Sequence, residues 1–209
     1  MKVQRGCKTP RVRRDEILDA AAKVFARKGF ARTKVEEIAN ALGVAKGTIY
    51  LYFRSKEALF LAVADRTMSL LQNRVRSKAA EIADPLQRMS AAAYEYLGFF
   101  EENPELFEIF VHERAEFRER KDSTYMTYRE RQLSILEQRL RELQSAGLVR
   151  QIDPARVSRL FGDLLYGTVY TNLLIPKRPP LTALHPHIVS VLFGGILTDK
   201  GKKQARVVD

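Results

Sequence analysis

The sequence predicts an all-α fold of about nine helices in two parts: a three-helix unit with a helix-turn-helix, then a larger helical body. Three observations carry this. Apolar residues recur at i, i+3, i+4 and i+7 along most of the chain, and nowhere do they alternate as in a strand. Gly and Pro are sparse, and most stand between those helical patterns. Two short amphipathic patterns flank the turn Leu42-Gly43-Val44, and a third helix start follows directly.

Taken in order, residues 1–13 (MKVQRGCKTPRVR) are basic and almost without apolar side chains, which predicts a flexible arm. Helix one spans about Arg14 to Lys28, with Ile17, Ala21, Val24 and Phe25 on its inner face and Gly29 closing it. Thr33, three residues ahead of Glu36, fits a capping box for helix two. Val35, Ile38, Ala39 and Leu42 share one side of that helix, and Gly43 suits its left-handed end. Helix three starts near Ala45. Ser55 is placed to cap helix four, which no Gly or Pro interrupts from Lys56 to about Ile82. Helix five covers Leu86 to Glu101, and Asn103-Pro104 opens helix six, which runs to about Arg118. Helix seven extends from about Ser123 to Ala146, ahead of Gly147. Asp153-Pro154 opens helix eight, which reaches about Ile175. After the loop PKRPP, helix nine covers about Pro186 to Leu197. The resulting parts are an arm at 1–13, a helix-turn-helix unit at 14–54, a helical body at 55–198 and a polar, frayed tail at 199–209.

Charge narrows the function. The net charge is +11, and its distribution is uneven. Residues 1–54 hold 13 Lys and Arg against 5 Asp and Glu, whereas the rest of the chain holds 23 against 20. A positive end of this kind is the footprint of a polyanion partner. An anionic membrane surface is the competing partner, but no stretch combines a basic face with a wide exposed apolar one. No apolar run approaches the roughly 18 residues that a membrane span needs. The basic N-terminus lacks the apolar run of a signal peptide, and the single Cys7 rules out an intramolecular disulfide, so a cytoplasmic protein is expected. Cys7 is read as an incidental thiol of the arm.

On helix three, Ile49 and Phe53 share one side with Ala45, while Lys46, Gly47, Tyr50 and Leu51 point roughly the other way. An apolar back with a Lys/Gly/Tyr front suits a recognition helix in a major groove. Taken alone, a helix–Gly turn–helix also occurs in helical proteins that bind no DNA.

The full string TKVEEIANALGVAKGTIYLYFRSKEALF, residues 33 to 60, resembles the TetR family of bacterial transcriptional regulators. The likeness is specific over about residues 14 to 62 and only architectural beyond. It implies that Lys46, Gly47, Tyr50 and Leu51 face bases or the groove. It also implies that Thr33, Thr48, Tyr52 and Lys56 touch phosphates. Helix four would link a C-terminal ligand-binding and dimerisation domain to the DNA-binding domain. The expected partners are a palindromic operator in double-stranded DNA, a small apolar or amphipathic effector and a second copy of the chain.

The residues of the helical body agree with those roles without assigning them. Helices eight and nine are apolar on several sides, which predicts a homodimer through Leu160, Leu164, Ile188, Val191, Leu192 and Ile196. Helices five to eight are dense in aromatics, and clefts lined that way are common ligand sites. The expected lining is Tyr96, Phe100, Phe107, Phe110, Arg114, Tyr128, Phe161, Tyr166 and Tyr170. An aromatic stripe at this spacing also describes plain core. No nucleophile elbow, phosphate-binding loop or dinucleotide fingerprint is present, so no enzyme and no cofactor are expected. His185-Pro186-His187 lacks a Cys or acidic partner at ligand spacing, so no metal is expected either. A regulator without a small-molecule ligand, or a helical binding protein whose basic end meets a membrane, are the alternatives.

Overall fold

The computed structural model describes residues 10–175 and 177–205 of the chain. Ten helices occupy the described residues, with no strand among them. They are α1 (Pro10–Arg32), α2 (Val35–Leu42), α3 (Lys46–Tyr50), α4 (Lys56–Ala80), α5 (Pro85–Glu102), α6 (Pro104–Glu116), α7 (Thr124–Ser145), α8 (Pro154–Leu174), α9 (Leu181–Ile196) and α10 (Asp199–Ala205). They pack into two compact units. The first contains the described residues up to Thr67 together with Glu105–Thr124, and the second contains Met68–Pro104 and the described residues from Tyr125 onward. This division differs from a boundary at residue 54. The first half of α4 and nearly all of α6 pack with the helix-turn-helix. Periodicity shows that a helix has an apolar face, but not which distant segment covers it.

Within the first unit, α1 is longer than the sequence suggests. Pro10 to Arg13, assigned to the arm, are helical; Pro is well suited to a first turn, and Arg13 pairs with Glu16 at 3.2 Å. The remainder of the arm, residues 1–9 with Cys7, lies outside the described residues. Near its C-terminal end α1 kinks at Gly29, whose φ of 74° and ψ of 171° leave the helical region. The kink interrupts the backbone ladder and strands several carbonyls. Side chains answer them. Arg32 Nε donates to the Lys28 carbonyl at 3.0 Å and the Thr33 hydroxyl to that of Gly29 at 2.7 Å. Lys56 Nζ donates to the carbonyls of Phe30 at 2.9 Å, Thr33 at 3.1 Å and Ala31 at 3.4 Å, and sits 4.3 Å from the centre of the Phe30 ring. His112 of α6 packs on the same kink, its ring 3.2 Å from where a Cβ at Gly29 would lie, and its Nε2 is 3.4 Å from the Ala26 carbonyl. Phe25, Phe30, Phe60 and Phe117 form the aromatic centre around it, with ring centroids 4.9–6.3 Å apart.

The capping box predicted at Thr33 and Glu36 is displaced by one residue. Thr33 is only 2% exposed and spends its hydroxyl on Gly29, so α2 begins at Val35. Glu37 takes the acid's part, accepting from the Lys34 N–H at 3.4 Å and from Lys28 Nζ at 2.6 Å. Gly43 ends α2 in the left-handed region, as expected. Ser55 Oγ accepts from the Ala58 N–H at 3.0 Å and caps α4, also as expected. Arg66 of α4 reaches back to Asp15 at 2.7 Å and Asp19 at 3.2 Å on α1.

On α6 of this unit Glu113 is 1% exposed. Its Oε1 accepts from Arg120 Nη1 at 2.8 Å, the Thr124 N–H at 2.8 Å and the Thr124 hydroxyl at 2.9 Å. A buried carboxylate thus holds the first turn of α7 through charge-assisted bonds.

In the second unit, α5 packs against α8 and α9, which also touch each other. A core of Leu86, Met89, Leu140, Leu143, Leu148, Val149 and Leu197 closes one end. Arg74 of α4 forks to Glu95 at 2.7 Å and Glu102 at 2.5 Å on α5. Asp84 and Asp153 cap α5 and α8 ahead of Pro85 and Pro154. α9 starts at Leu181, five residues before the expected Pro186, because Glu101 accepts from the Thr182 N–H at 2.7 Å and its hydroxyl at 2.9 Å. The tail read as frayed forms α10 from Asp199 to Ala205. Thr198 Oγ1 accepts from the Gly201 N–H at 3.1 Å and donates to the Gly147 carbonyl at 2.8 Å, which docks that turn.

Two substitutions test these joints. Lys56→Ala should lower the unfolding free energy by about 1–2 kcal/mol in urea denaturation of the full chain, because it strips a charged donor from three carbonyls. Unchanged stability would mean that the capping is idle. Glu113→Ala should cost about 1–3 kcal/mol by loss of the α7 cap, read in the same measurement. An undiminished denaturation midpoint would remove Glu113 from that role.

Candidate DNA-reading face and effector cavity

Helix α3 is only five residues long, yet its two sides separate cleanly. Ile49 and Phe53 are buried, and Arg14 of α1 lies 5.2 Å over the Phe53 ring. Lys46, Gly47, Tyr50 and Leu51 are exposed, Leu51 at 83%, while Thr48 and Tyr52 are half-buried on the flanks. No atom lies within 4 Å of a Cβ built on Gly47, so that side of the backbone is open. The expected base-facing set therefore shares one surface.

That surface holds one feature the sequence reading missed. Lys46 Nζ sits 2.6 Å from Glu36 Oε1 of α2 and 5.7 Å from the centre of the Tyr50 ring. The hydrogen bond that Lys46 donates holds the Glu36 carboxyl below its ordinary range, and accepting it Glu36 pushes the Lys46 ammonium above its own. The cation expected to read DNA is therefore already paired. Ten residues and a turn separate the two, a spacing at which no sequence rule brings side chains together.

Two expected phosphate contacts take other roles. Thr33 is buried with its hydroxyl on Gly29, and Lys56 directs its ammonium to the carbonyls of Phe30 and Thr33. The stranded carbonyls of the kink claim both donors. Lys34 and Arg54 are exposed cations of the same unit.

The second unit holds a partly open cavity of about 610 Å³ between α4, α5, α7 and α8. Of the expected lining, Tyr96 and Phe161 border it. The others do not. Phe107, Phe110 and Arg114 belong to α6 of the first unit, where the two rings are buried. Phe100 is buried against Tyr96 and Phe99. Tyr128 hydrogen-bonds Ser69 at 3.3 Å, and Tyr166 stacks on Tyr170 at 6.2 Å. Aromatic density marks packed rings and cavity walls alike, so spacing could not separate them.

The cavity carries a polar pair that sequence reading half missed. The Tyr96 and Tyr125 hydroxyls lie 3.1 Å apart. Burial raises both, Tyr125 to about 12 and Tyr96 well above its ordinary value, so each remains a neutral phenol. Beside them Arg129 pairs with Asp163 at 2.6 Å, while its buried Nε has no hydrogen-bond partner.

On α8 and α9, Leu160 and Val191 are 65% and 72% exposed, and Leu164 and Leu174 are exposed as well. Gly167, Gly194 and Gly195 have open space where a Cβ would stand. Ile188, expected at a dimer interface, is instead buried within its own chain, and Ile196 packs against the Leu86 core; Leu192 is half-buried. Among the described residues no group of three His, Cys, Asp or Glu could hold a metal ion, and no helix is long and apolar enough to cross a membrane. His185 is engaged by Ser90, its Nε2 lying 2.9 Å from the backbone carbonyl and 3.1 Å from the hydroxyl.

Known proteins match both units. Residues 17–63 match the model of bacterial regulatory proteins of the tetR family, and residues 83–169 match a Tetracyclin repressor-like C-terminal domain. The chain is 27% identical over 187 residues to the fatty acid metabolism regulator protein of Bacillus subtilis, covering 87% of this chain and 94% of that one. It is 37% identical over 99 residues to the transcriptional activator FasR of Mycolicibacterium smegmatis, and spans 45% of that protein's length. It spans 25% of the length of the regulator YerO of Bacillus subtilis. The solved fatty acid degradation regulator FadR of Bacillus halodurans superimposes with a TM-score of 0.73 at 25% identity, over 87% of this chain and 98% of that one. FadR of Bacillus subtilis, solved with stearoyl-CoA, has the same fold with a TM-score of 0.72 at 24% identity, over 87% of this chain and 98% of that one. The chain belongs to the TetR family of bacterial regulatory proteins.

Proposed function

We propose that the chain is a ligand-responsive transcriptional regulator, not an enzyme, that works in the cytoplasm. As a homodimer it represses from a palindromic operator and is released by a small apolar or amphipathic effector. The observation that carries this is the cavity of about 610 Å³ walled in part by α4, the same unbroken 25-residue helix that follows the recognition helix in the chain. Relatives named for fatty acid and ketosteroid regulation support an apolar effector class.

Lys46, Gly47, Tyr50 and Leu51 read the groove, with Thr48 and Tyr52 at its phosphate edges. The exposed leucines and valine of α8 and α9 meet their copies across a two-fold axis, with Gly167, Gly194 and Gly195 permitting close approach. Two recognition helices must then sit about 34–36 Å apart, or a multiple of that, to meet successive major grooves. An effector acts only through its different affinity for the DNA-competent and DNA-incompetent settings of α4.

Retention on duplex DNA by the full chain, followed across salt concentrations, tests the reading together with sedimentation. A dimer with steep salt dependence, in which Lys46→Ala changes sequence preference, is the expected result. A monomer at micromolar concentration, or operator discrimination untouched by Lys46→Ala, would overturn it. Glu36→Gln should tighten binding a few-fold, because it frees Lys46 from its pair without altering the groove face. Weaker or unchanged affinity in a salt titration would show that the pair does not compete with DNA.

A further inference from the structure

We infer that the effector is an amphiphile with an anionic head of the carboxylate or phosphate kind, its head held by Arg76, Arg88 and Arg139 at one end of the cavity. This rests on the reading of the cavity as the effector site. The cavity wall contains four arginines and no aspartate or glutamate. Among the described residues only Arg129 of the four has an acidic partner, Asp163. Arg76 meets Asn73 Oδ1 at 3.2 Å, and Arg88 meets the Ile82 carbonyl at 2.7 and 2.9 Å. No acidic side chain among the described residues pairs with Arg76, Arg88 or Arg139.

The three lie at the same end. Arg76 stands near the close of α4, and Arg88, in the first turns of α5, bonds the carbonyls of the short link from α4. Arg139 neighbours Leu140, which packs with Leu86 and Met89 of that same stretch of α5. The opposite end is marked by the Tyr96–Tyr125 hydroxyl pair. Arg129 and Arg139 are ten residues apart on α7, so about 15 Å of helix separates the two ends. Between them the wall is apolar, with Leu71, Val75, Ala93 and Leu133.

Guanidinium groups without a counter-ion beside an apolar space repel one another and attract an anion. Their planar forks match carboxylate and phosphate oxygens. A neutral apolar ligand would fill the middle of the cavity and leave that charge unanswered.

Calorimetry on the full chain separates the possibilities. The probes are palmitate, palmitoyl-CoA, hexadecyl phosphate and neutral hexadecanol, all below their aggregation limits. At least one anion should bind about ten-fold or more tightly than the alcohol. The double variant Arg76→Gln/Arg139→Gln should erase that advantage while leaving alcohol binding and the thermal midpoint unchanged. Tighter binding of palmitate, of the thioester or of the phosphate identifies which anion the head is. Equal affinity for alcohol and anions overturns the anionic head but keeps the cavity as an effector site. Failure of every probe to bind overturns the effector reading itself.

Discussion

Gly29 interrupts the hydrogen-bond ladder of α1, and the way its stranded carbonyls are answered assembles the DNA-reading unit. An unsatisfied carbonyl away from water is costly. Three donors from three places in the chain converge on the break: Arg32 from the same helix, Thr33 from the approach to α2 and Lys56 from the start of α4. The His112 ring fills the space that a side chain at residue 29 would need. The kink thereby fixes where α2 begins, and α2 with its glycine turn sets α3 on the surface.

The recognition helix is correspondingly simple. With five residues, α3 has no length to stabilise itself and is held by Ile49 and Phe53 underneath. Its outward face takes no part in that packing, and Leu51 remains exposed there. The Lys46–Glu36 pair is an exposed one, and such pairs yield to a stronger anion at small cost.

The chain passes between its two units three times, within α4, at the start of α6 and at the start of α7. α4 makes its crossing as unbroken helix, and Glu113 pins the first turn of α7. Both helices continue into the cavity wall.

Much of this was legible in the sequence, because it is local. Helical periodicity, the Ser55, Asp84 and Asp153 capping positions and the Gly43 turn depend on near neighbours along the chain. The all-α class and the outward face of α3 came from such signals, and the family from the string at residues 33 to 60. Other features depended on residues far apart in sequence. The capture of Thr33 and Lys56 by the α1 carbonyls, the docking of α6 beside the helix-turn-helix and the arginine end of the cavity needed the packed molecule. A side chain's periodicity shows which way it points from its own helix. Whether that direction holds a carbonyl, a ring or an empty space is decided by a partner tens of residues away, and only the tertiary structure brings that partner to it.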